Sequence, residues 1–306
     1  MTGRASKKPS AKRKPRTTRK SDPAPTASLP RWAPIAGAAA GLVALVGFAV
    51  YVVGAQPRRA APPGEAAPAA ITTVVPESLV VRVHERHPHA REAFTQGLVW
   101  DHGRLFESTG LEGRSSIREV DLATGEVMRR TALEPALFGE GLALVGTELV
   151  QITWMNHRAF VWDRDRFEKL REFRYRGEGW GLCHDGRSLV MSDGSETLVF
   201  RNPATFAIER EVVVTRLGRP QRELNELECV DGKVWANVWQ TDEIVRIDPR
   251  TGAVDAVVDA TGLLSAEERQ GADVLNGIAY VPETRRFLVT GKLWPTLFEV
   301  TFEAAR

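Results

Sequence analysis

Several common catalytic signatures are missing from this sequence. It has no CxxC, HExxH, GxSxG or P-loop pattern, so the usual zinc, serine-hydrolase and nucleotide-dependent chemistries have no support. Cysteine is scarce, with only Cys183 and Cys229. They occupy the same offset in neighbouring copies of a repeat described below. Equivalent residues of adjacent repeats are often too far apart for disulfide geometry. Two buried free thiols are therefore expected over a disulfide, although an oxidising compartment would permit one. Charge is missing altogether from Ala33 to Ala55.

That uncharged run is long enough to cross a bilayer, which takes about 20 apolar residues. It also exceeds the roughly 7–15 residues of a signal-peptide core, which favours a retained anchor over a cleaved leader ending at Val53-Gly54-Ala55. Before it, residues 1–31 carry ten Lys/Arg against the single acid Asp22, a net of +9; with +2 for the whole chain, the rest carries −7. A basic flank stays in the cytoplasm, so the following body is expected on the periplasmic, extracytoplasmic side of an inner membrane. The tail reads as a topology signal attracted to anionic lipid, with no nucleic-acid partner expected. The expected organisation is a tail (1–32), a membrane span (33–55), a Pro/Ala-rich linker (56–75) and a folded domain (76–306).

What is present in the folded domain is a unit recurring five times. Its openings are Gln96-Gly97-Leu98, Glu140-Gly141-Leu142, Trp180-Gly181-Leu182, Glu226-Leu227-Glu228 and Asn276-Gly277-Ile278, with anchors 44, 40, 46 and 50 residues apart. Each opening leads through a turn, such as Asp231-Gly232, into a second short apolar strand, such as Val234-Trp235-Ala236. An outward hairpin follows, as in Ser116–Asp121, Ala123-Thr124-Gly125 and Glu126-Val127-Met128. Short strands repeating at this period predict an all-β, five-bladed β-propeller, here preceded by a single transmembrane helix. The fifth copy ends one strand short, whereas Leu79–His84 has no partner upstream. Pairing the two would close the ring and remove an open edge.

In a propeller, the residue before each inner strand and the far end of each second strand meet at one mouth of the channel. The first set is Gln96, Glu140, Trp180, Glu226 with Asn225, and Asn276; the second is Glu107, Trp154, Asp193, Trp239 and Lys292. Aromatic walls around a few polar groups describe a small-ligand pocket. His84, His87 and His89 could share a metal, but Pro88 interrupts them and no acid or Cys at ligand spacing completes the set. They read as surface histidines, and no metal site is assigned.

Six sequence blocks together closely resemble the plant-type glutaminyl-peptide cyclotransferases. They are Phe94-Thr95-Gln96-Gly97-Leu98, Phe138-Gly139-Glu140-Gly141-Leu142, Gly179-Trp180-Gly181-Leu182, Leu224–Glu228, Trp235–Asp242 and Gly291-Lys292-Leu293-Trp294-Pro295. The resemblance covers residues 79–302 and implies a five-bladed propeller that cyclises N-terminal glutamine of peptides or proteins to pyroglutamate, releasing ammonia. It implies Glu140 as the acid–base group, with Phe94, Gln96, Phe138, Trp154, Trp180, Asn225, Trp239 and Lys292 around the substrate. By chemistry, Asn225, Gln96 and Lys292 would hold the amide and polarise its oxygen, while the tryptophans wall the side chain. Glu107 is the competing acid and ranks as structural or supporting; Glu226 and Glu228 are expected to bond loop backbone. No cofactor is expected; the resemblance allows a channel metal ion, with Asp193 a possible ligand, without requiring one. The chain is expected to be monomeric. The rival readings are a non-catalytic propeller binding peptide or cell wall, and a metal-dependent propeller hydrolase.

Overall fold

The computed structural model describes residues 74–305. The expected basic tail, membrane span and nearly all of the linker lie outside the described residues. Among the described residues every regular element is a strand, and no helix is long and apolar enough to cross a membrane.

The first element is β1 (Glu77–Pro88). Three four-stranded antiparallel sheets follow: β2 (Thr95–Asp101), β3 (Arg104–Thr109), β4 (Ser116–Val120) and β5 (Val127–Ala132); β6 (Gly139–Val145), β7 (Glu148–Thr153), β8 (Arg158–Asp163) and β9 (Lys169–Arg174); and β10 (Leu182–His184), β11 (Leu189–Met191), β12 (Thr197–Arg201) and β13 (Ile208–Val213). A small hairpin, β14 (Thr215–Arg216) and β15 (Arg219–Pro220), leads into β16 (Leu224–Val230), β17 (Lys233–Val238), β18 (Glu243–Ile247) and β19 (Val254–Asp259). The last strands are β20 (Leu275–Val281), β21 (Arg286–Gly291) and β22 (Thr296–Ala304). These join β1 and β16–β19 in one eight-stranded sheet, ordered β16-β17-β18-β19-β1-β22-β21-β20.

The unpaired segment found upstream has the partner expected of it. β1 runs antiparallel to β22, with Val81 opposite Phe302 and Val83 opposite Val300. Its first residues also pair in parallel with β19, Leu79 lying opposite Val258. One strand therefore covers two edges that would otherwise present unpaired backbone groups.

The first strands of the five repeats touch in the closed order β2, β6, β10, β16, β20 and back to β2. Each apolar cluster lies between two consecutive repeats. Phe106 packs with Leu142 and Phe160, Ile152 with Leu182 and Phe206, Phe200 with Leu227 and Val245, Ile244 with Ile278 and Phe298, and Leu288 with Leu98 and Leu105. Alternating residues supply apolar side chains to both sheet faces, so the core forms between sheets. The strand ends that meet one another are left for polar groups.

Local chemistry fixes the turns. His102-Gly103 and Asp231-Gly232 form two-residue hairpin loops with both residues at positive φ. Between third and fourth strands, the side chains of Asp121, Asp163, Asn202 and Asp248 accept backbone N–H groups two or three residues on. The residue four positions after each has positive φ: Gly125, Phe167, Phe206 and Gly252. Glycine fits the first and last; in the middle two the strain is offset by burying a phenyl ring.

The pairing register corrects one sequence alignment. Leu98, Leu142, Leu182, Leu227 and Ile278 lie opposite Glu107, Gln151, Met191, Ala236 and Val289. Leu227 thus matches the leucines of the other openings, and Asn225, not Glu226, is the counterpart of Gln96, Glu140, Trp180 and Asn276. Glu226 stands where the other four repeats place Gly97, Gly141, Gly181 and Gly277. At the first three an added Cβ would collide with backbone of the next first strand, at Leu142, Leu182 and Asn225 respectively. The same shift makes Cys229 the counterpart of His184. The expectation of free thiols is therefore wrong: Cys183 and Cys229 are one step out of register, have Cα atoms 5.6 Å apart, and form a disulfide between β10 and β16.

Candidate active site

Four first strands carry an irregularity at the same place. Pairing shifts between Thr95 and Gly97, Gly139 and Leu142, Leu224 and Leu227, and Leu275 and Ile278. Gln96, Glu140, Asn225 and Asn276 lie inside these bulges, the last three each together with the residue that follows. A bulge bends its strand and re-aims a side chain, and here it aims a polar group in each case. All four are buried.

Three of them form a hydrogen-bonded chain. Gln96 Nε2 donates to Glu140 Oε1 at 2.8 Å, and Asn276 Nδ2 donates to Gln96 Oε1 at 3.1 Å and to the Thr95 carbonyl at 3.0 Å. Ser108 donates its hydroxyl to the Glu140 carbonyl, which pins the bulge from β3. The carbonyl oxygens of the Asn225 and Asn276 side chains are buried without a partner among the described residues. An unpaired buried amide oxygen is costly, and a ligand's donor would relieve it.

An aromatic arc adjoins this chain. Phe94 meets Phe138 edge-on at 6.0 Å between ring centroids, and Phe138 meets Trp154 at 5.7 Å. Trp180 meets Trp239 at 5.4 Å. Glu178 joins the two halves, its Oε2 accepting from Trp154 Nε1 at 2.7 Å and from Trp180 Nε1 at 3.0 Å. Lys292 Nζ lies 5.0 Å from the Phe94 ring centroid, a cation–π contact at the arc's other end. Backbone bonds hold the far ends of the second strands against residues just before the first strands: Trp154 N to Phe138 O, Trp239 N to Glu223 O and Lys292 N to Val274 O. Gln240 and Leu293, directly after Trp239 and Lys292, have φ of 63° and 60°. Strain of this kind in non-glycine residues gathers at functional sites.

The electrostatics separate the acids. Burial pushes the Glu140 carboxyl well above the usual carboxylate range; the Lys292 charge opposes this and the Glu178 charge adds to it. Burial likewise lowers the Lys292 ammonium, against the pull of Glu140 and Asp273. Glu107 behaves in the opposite way. Burial alone would raise it, but Arg118 and His89 outweigh that and bring it down to about 2. Arg118 donates to Glu107 Oε2 through Nε at 2.8 Å and Nη2 at 2.5 Å; Thr95 Oγ1 donates at 2.6 Å, and His89 Nε2 lies at 3.2 Å. Glu107 faces Leu98 deeper in the sheet, three residues before Gly110, the true counterpart of Trp154, Trp239 and Lys292. It is a structural ion pair.

Other expectations need correcting. His89 is buried, with Nδ1 2.8 Å from the Trp294 carbonyl, so it is not a surface histidine. Glu226 and Glu228 bond strand backbone rather than loops: Glu226 accepts from Leu98 N at 3.2 Å and Ile278 N at 2.8 Å, and Glu228 from Tyr280 N at 2.9 Å. Glu226 thereby ties β16 to β2 and β20 where the first strands converge. Asp193 accepts both donors of Ser195 within its own turn. Glu226, Glu228 and Asp193 are thus each hydrogen-bonded within the protein. Among the described residues, Glu85, His87 and Glu299 do bring three ligand atoms within 4.8 Å on the β1–β22 pair, an acid set the sequence did not reveal. Arg286 already pairs with Glu299 there at 3.2 Å.

Glu178 was missed in the sequence. The signal was an acid two residues before Trp180, one place outside the Gly179–Leu182 block.

A buried carboxyl, amide groups with unpaired oxygens, one desolvated cation and an aromatic arc are thus brought together at the ends of the first strands. The comparisons give the family. Residues 59–302 match glutamine cyclotransferase, and the chain belongs to that family. The glutaminyl-peptide cyclotransferase of Arabidopsis thaliana is 42% identical over 231 residues, which is 74% of this chain and 72% of the plant protein. The crystal structure of Myxococcus xanthus glutaminyl cyclase matches with a TM-score of 0.69 and 40% identity, covering 76% of this chain and 100% of that one.

Proposed function

We infer that this chain converts N-terminal glutamine of peptides and proteins to pyroglutamate with release of ammonia, and that Glu140 carries the proton between the two nitrogens. The chain is an acyltransferase: the γ-glutamyl acyl group passes from the amide nitrogen to the α-amine of the same residue. The observation that carries the assignment of Glu140 is its place: buried, bonded to Gln96, and beside Lys292 and the aromatic arc.

The reaction is intramolecular, so the site's first task is to hold the side chain folded back on its own amine. Trp154, Trp180 and Trp239 wall the aliphatic part and exclude water, with Phe94 and Phe138 closing the arc. The α-ammonium group first gives up one proton to solvent; the neutral amine nitrogen then attacks the amide carbon as Glu140, ionised, takes a second proton from it. The carbonyl electrons move onto oxygen, which Lys292 and the Asn225 amide stabilise. As the intermediate collapses, Glu140 returns the proton to the amide nitrogen, the C–N bond breaks and ammonia leaves. One carboxyl with a raised pKa suits both transfers, because its affinity for the proton lies closer to working pH. No step needs a metal.

The finer architecture belongs to the same reading. The closed contact order of the first strands and the interface clusters support five blades of a propeller, the fifth completed by β1. The disulfide supports an oxidising compartment. It agrees with an N-terminal anchor that places a monomeric catalytic domain outside the cytoplasm. The test is ammonia release from a glutaminyl dipeptide by the full chain, with and without chelator. Turnover that survives chelator supports the reading; a folded chain that binds the dipeptide without releasing ammonia would be the binding propeller instead.

A further inference from the structure

Glu178 is anchored in an unusual way. One oxygen receives two indole N–H groups, at 2.7 Å from Trp154 and 3.0 Å from Trp180. The carboxylate is therefore fixed in the aromatic wall, half-buried, with Oε1 free of hydrogen-bond partners among the described residues. No described Lys, Arg or His pairs with it. Several other carboxylates of the domain have a cation: Glu134 and Glu172 pair with Arg158, Glu148 with Arg171, Glu196 with Arg222 and Glu243 with Arg216. A partly desolvated, rigid anion facing an aromatic pocket is incomplete without a cation.

The substrate supplies one. A peptide α-amine titrates near 8, so at neutral pH it arrives largely as an ammonium ion. Lys292 repels that charge, and Glu140 is already bonded to Gln96.

We propose that Glu178 is the residue that recognises the free α-ammonium group of the incoming N-terminal glutamine, between the indoles of Trp154 and Trp180. This rests on the cyclotransferase reading above. It assigns specificity for a free N-terminus to a carboxylate separate from Glu140. The pyroglutamyl product has no cation, so its formation cancels the attraction and favours release.

The product provides the test. With full-length chain, the KM for a glutaminyl dipeptide and the inhibition constant of its pyroglutamyl counterpart are measured for wild type and Glu178→Gln. The amide oxygen of Gln can still accept both indole N–H groups, so the wall stays in place while the charge goes. The expected result is a KM raised about tenfold or more, with product inhibition unchanged within about twofold. If Glu178 merely positions the tryptophans, both constants rise together, and that result, or an unchanged KM, overturns this inference alone. A wild-type chain without turnover overturns the cyclotransferase reading and this inference with it. Should the Gln variant fail to fold, Glu178→Asp serves: with the carboxylate drawn back by one methylene, KM is expected to rise and product inhibition to hold.

Discussion

Glu107→Gln separates the two buried acids that compete for the proton-transfer role, Glu107 and Glu140. The substitution keeps shape and the acceptor for Thr95, but removes the charge that Arg118 and His89 face. The folded-state pKa of about 2, against an ordinary 4.5, sets the size of the effect. At about 1.4 kcal/mol per tenfold change in proton affinity, the ionised form is held by about 3 kcal/mol. Breaking a buried ion pair by removing one partner costs about 3–5 kcal/mol, which agrees. Because the folded pKa is depressed, this stability is fully present above pH 4.5 and is lost as pH falls toward 2. For a domain of this size, about 3 kcal/mol lowers the melting temperature by roughly 6–12 °C at pH 7. The gap between wild type and variant should narrow as acid protonates the wild-type carboxyl. The assay is thermal unfolding followed by circular dichroism at pH 7 and pH 3, with ammonia release measured well below the melting point. Glu107 lies away from the pocket, so turnover should stay within about threefold of wild type. A variant that melts like wild type but has lost turnover would show that Glu107, not Glu140, is the working acid.

Two further outcomes follow from the same structure. Lys292→Met removes the positive charge that holds the Glu140 pKa down, so the acid limb of kcat/KM should move to higher pH as kcat falls; a limb that stays put, or moves down, contradicts the coupling. Replacing both cysteines by serine frees a crosslink spanning 46 residues, worth about 4 kcal/mol in the chain-entropy account. The melting temperature should fall by roughly 8–16 °C without a change in KM; unaltered melting would mean the crosslink does not restrain the unfolded chain.

The repeat was legible because the Gly-Leu openings and the turns recur, and an unmatched strand at each end pointed to the β1–β22 pairing. Its register was not fully legible. Glu226 replaces the glycine of its repeat, so aligning on the glycine slot moved Leu227 one place. The same slip hid Asn225 as the counterpart of Glu140 and made the two cysteines look equivalent. Bulges leave no direct mark in a sequence, yet they are what turn Gln96, Glu140, Asn225 and Asn276 inward. The ion pair of Glu107 draws on Arg118 of β4 and His89 beyond β1, and no local pattern announces such a partnership. Phe167 and Phe206 occupy turn positions where glycine would have been the signal. Glu178 was overlooked because its importance comes from two indoles, at Trp154 and Trp180, that converge only in the fold.

The central claim is that Glu140 moves the proton, and Glu140→Gln tests it most directly. Turnover of a glutaminyl dipeptide and binding of the pyroglutamyl product, read by tryptophan fluorescence, are measured on the same preparation. The account predicts that kcat falls by about 10²–10⁴ while product binding is kept within a few-fold, since the substituted amide preserves the shape of the pocket without the acid. A variant that binds normally and turns over within tenfold of wild type would contradict it.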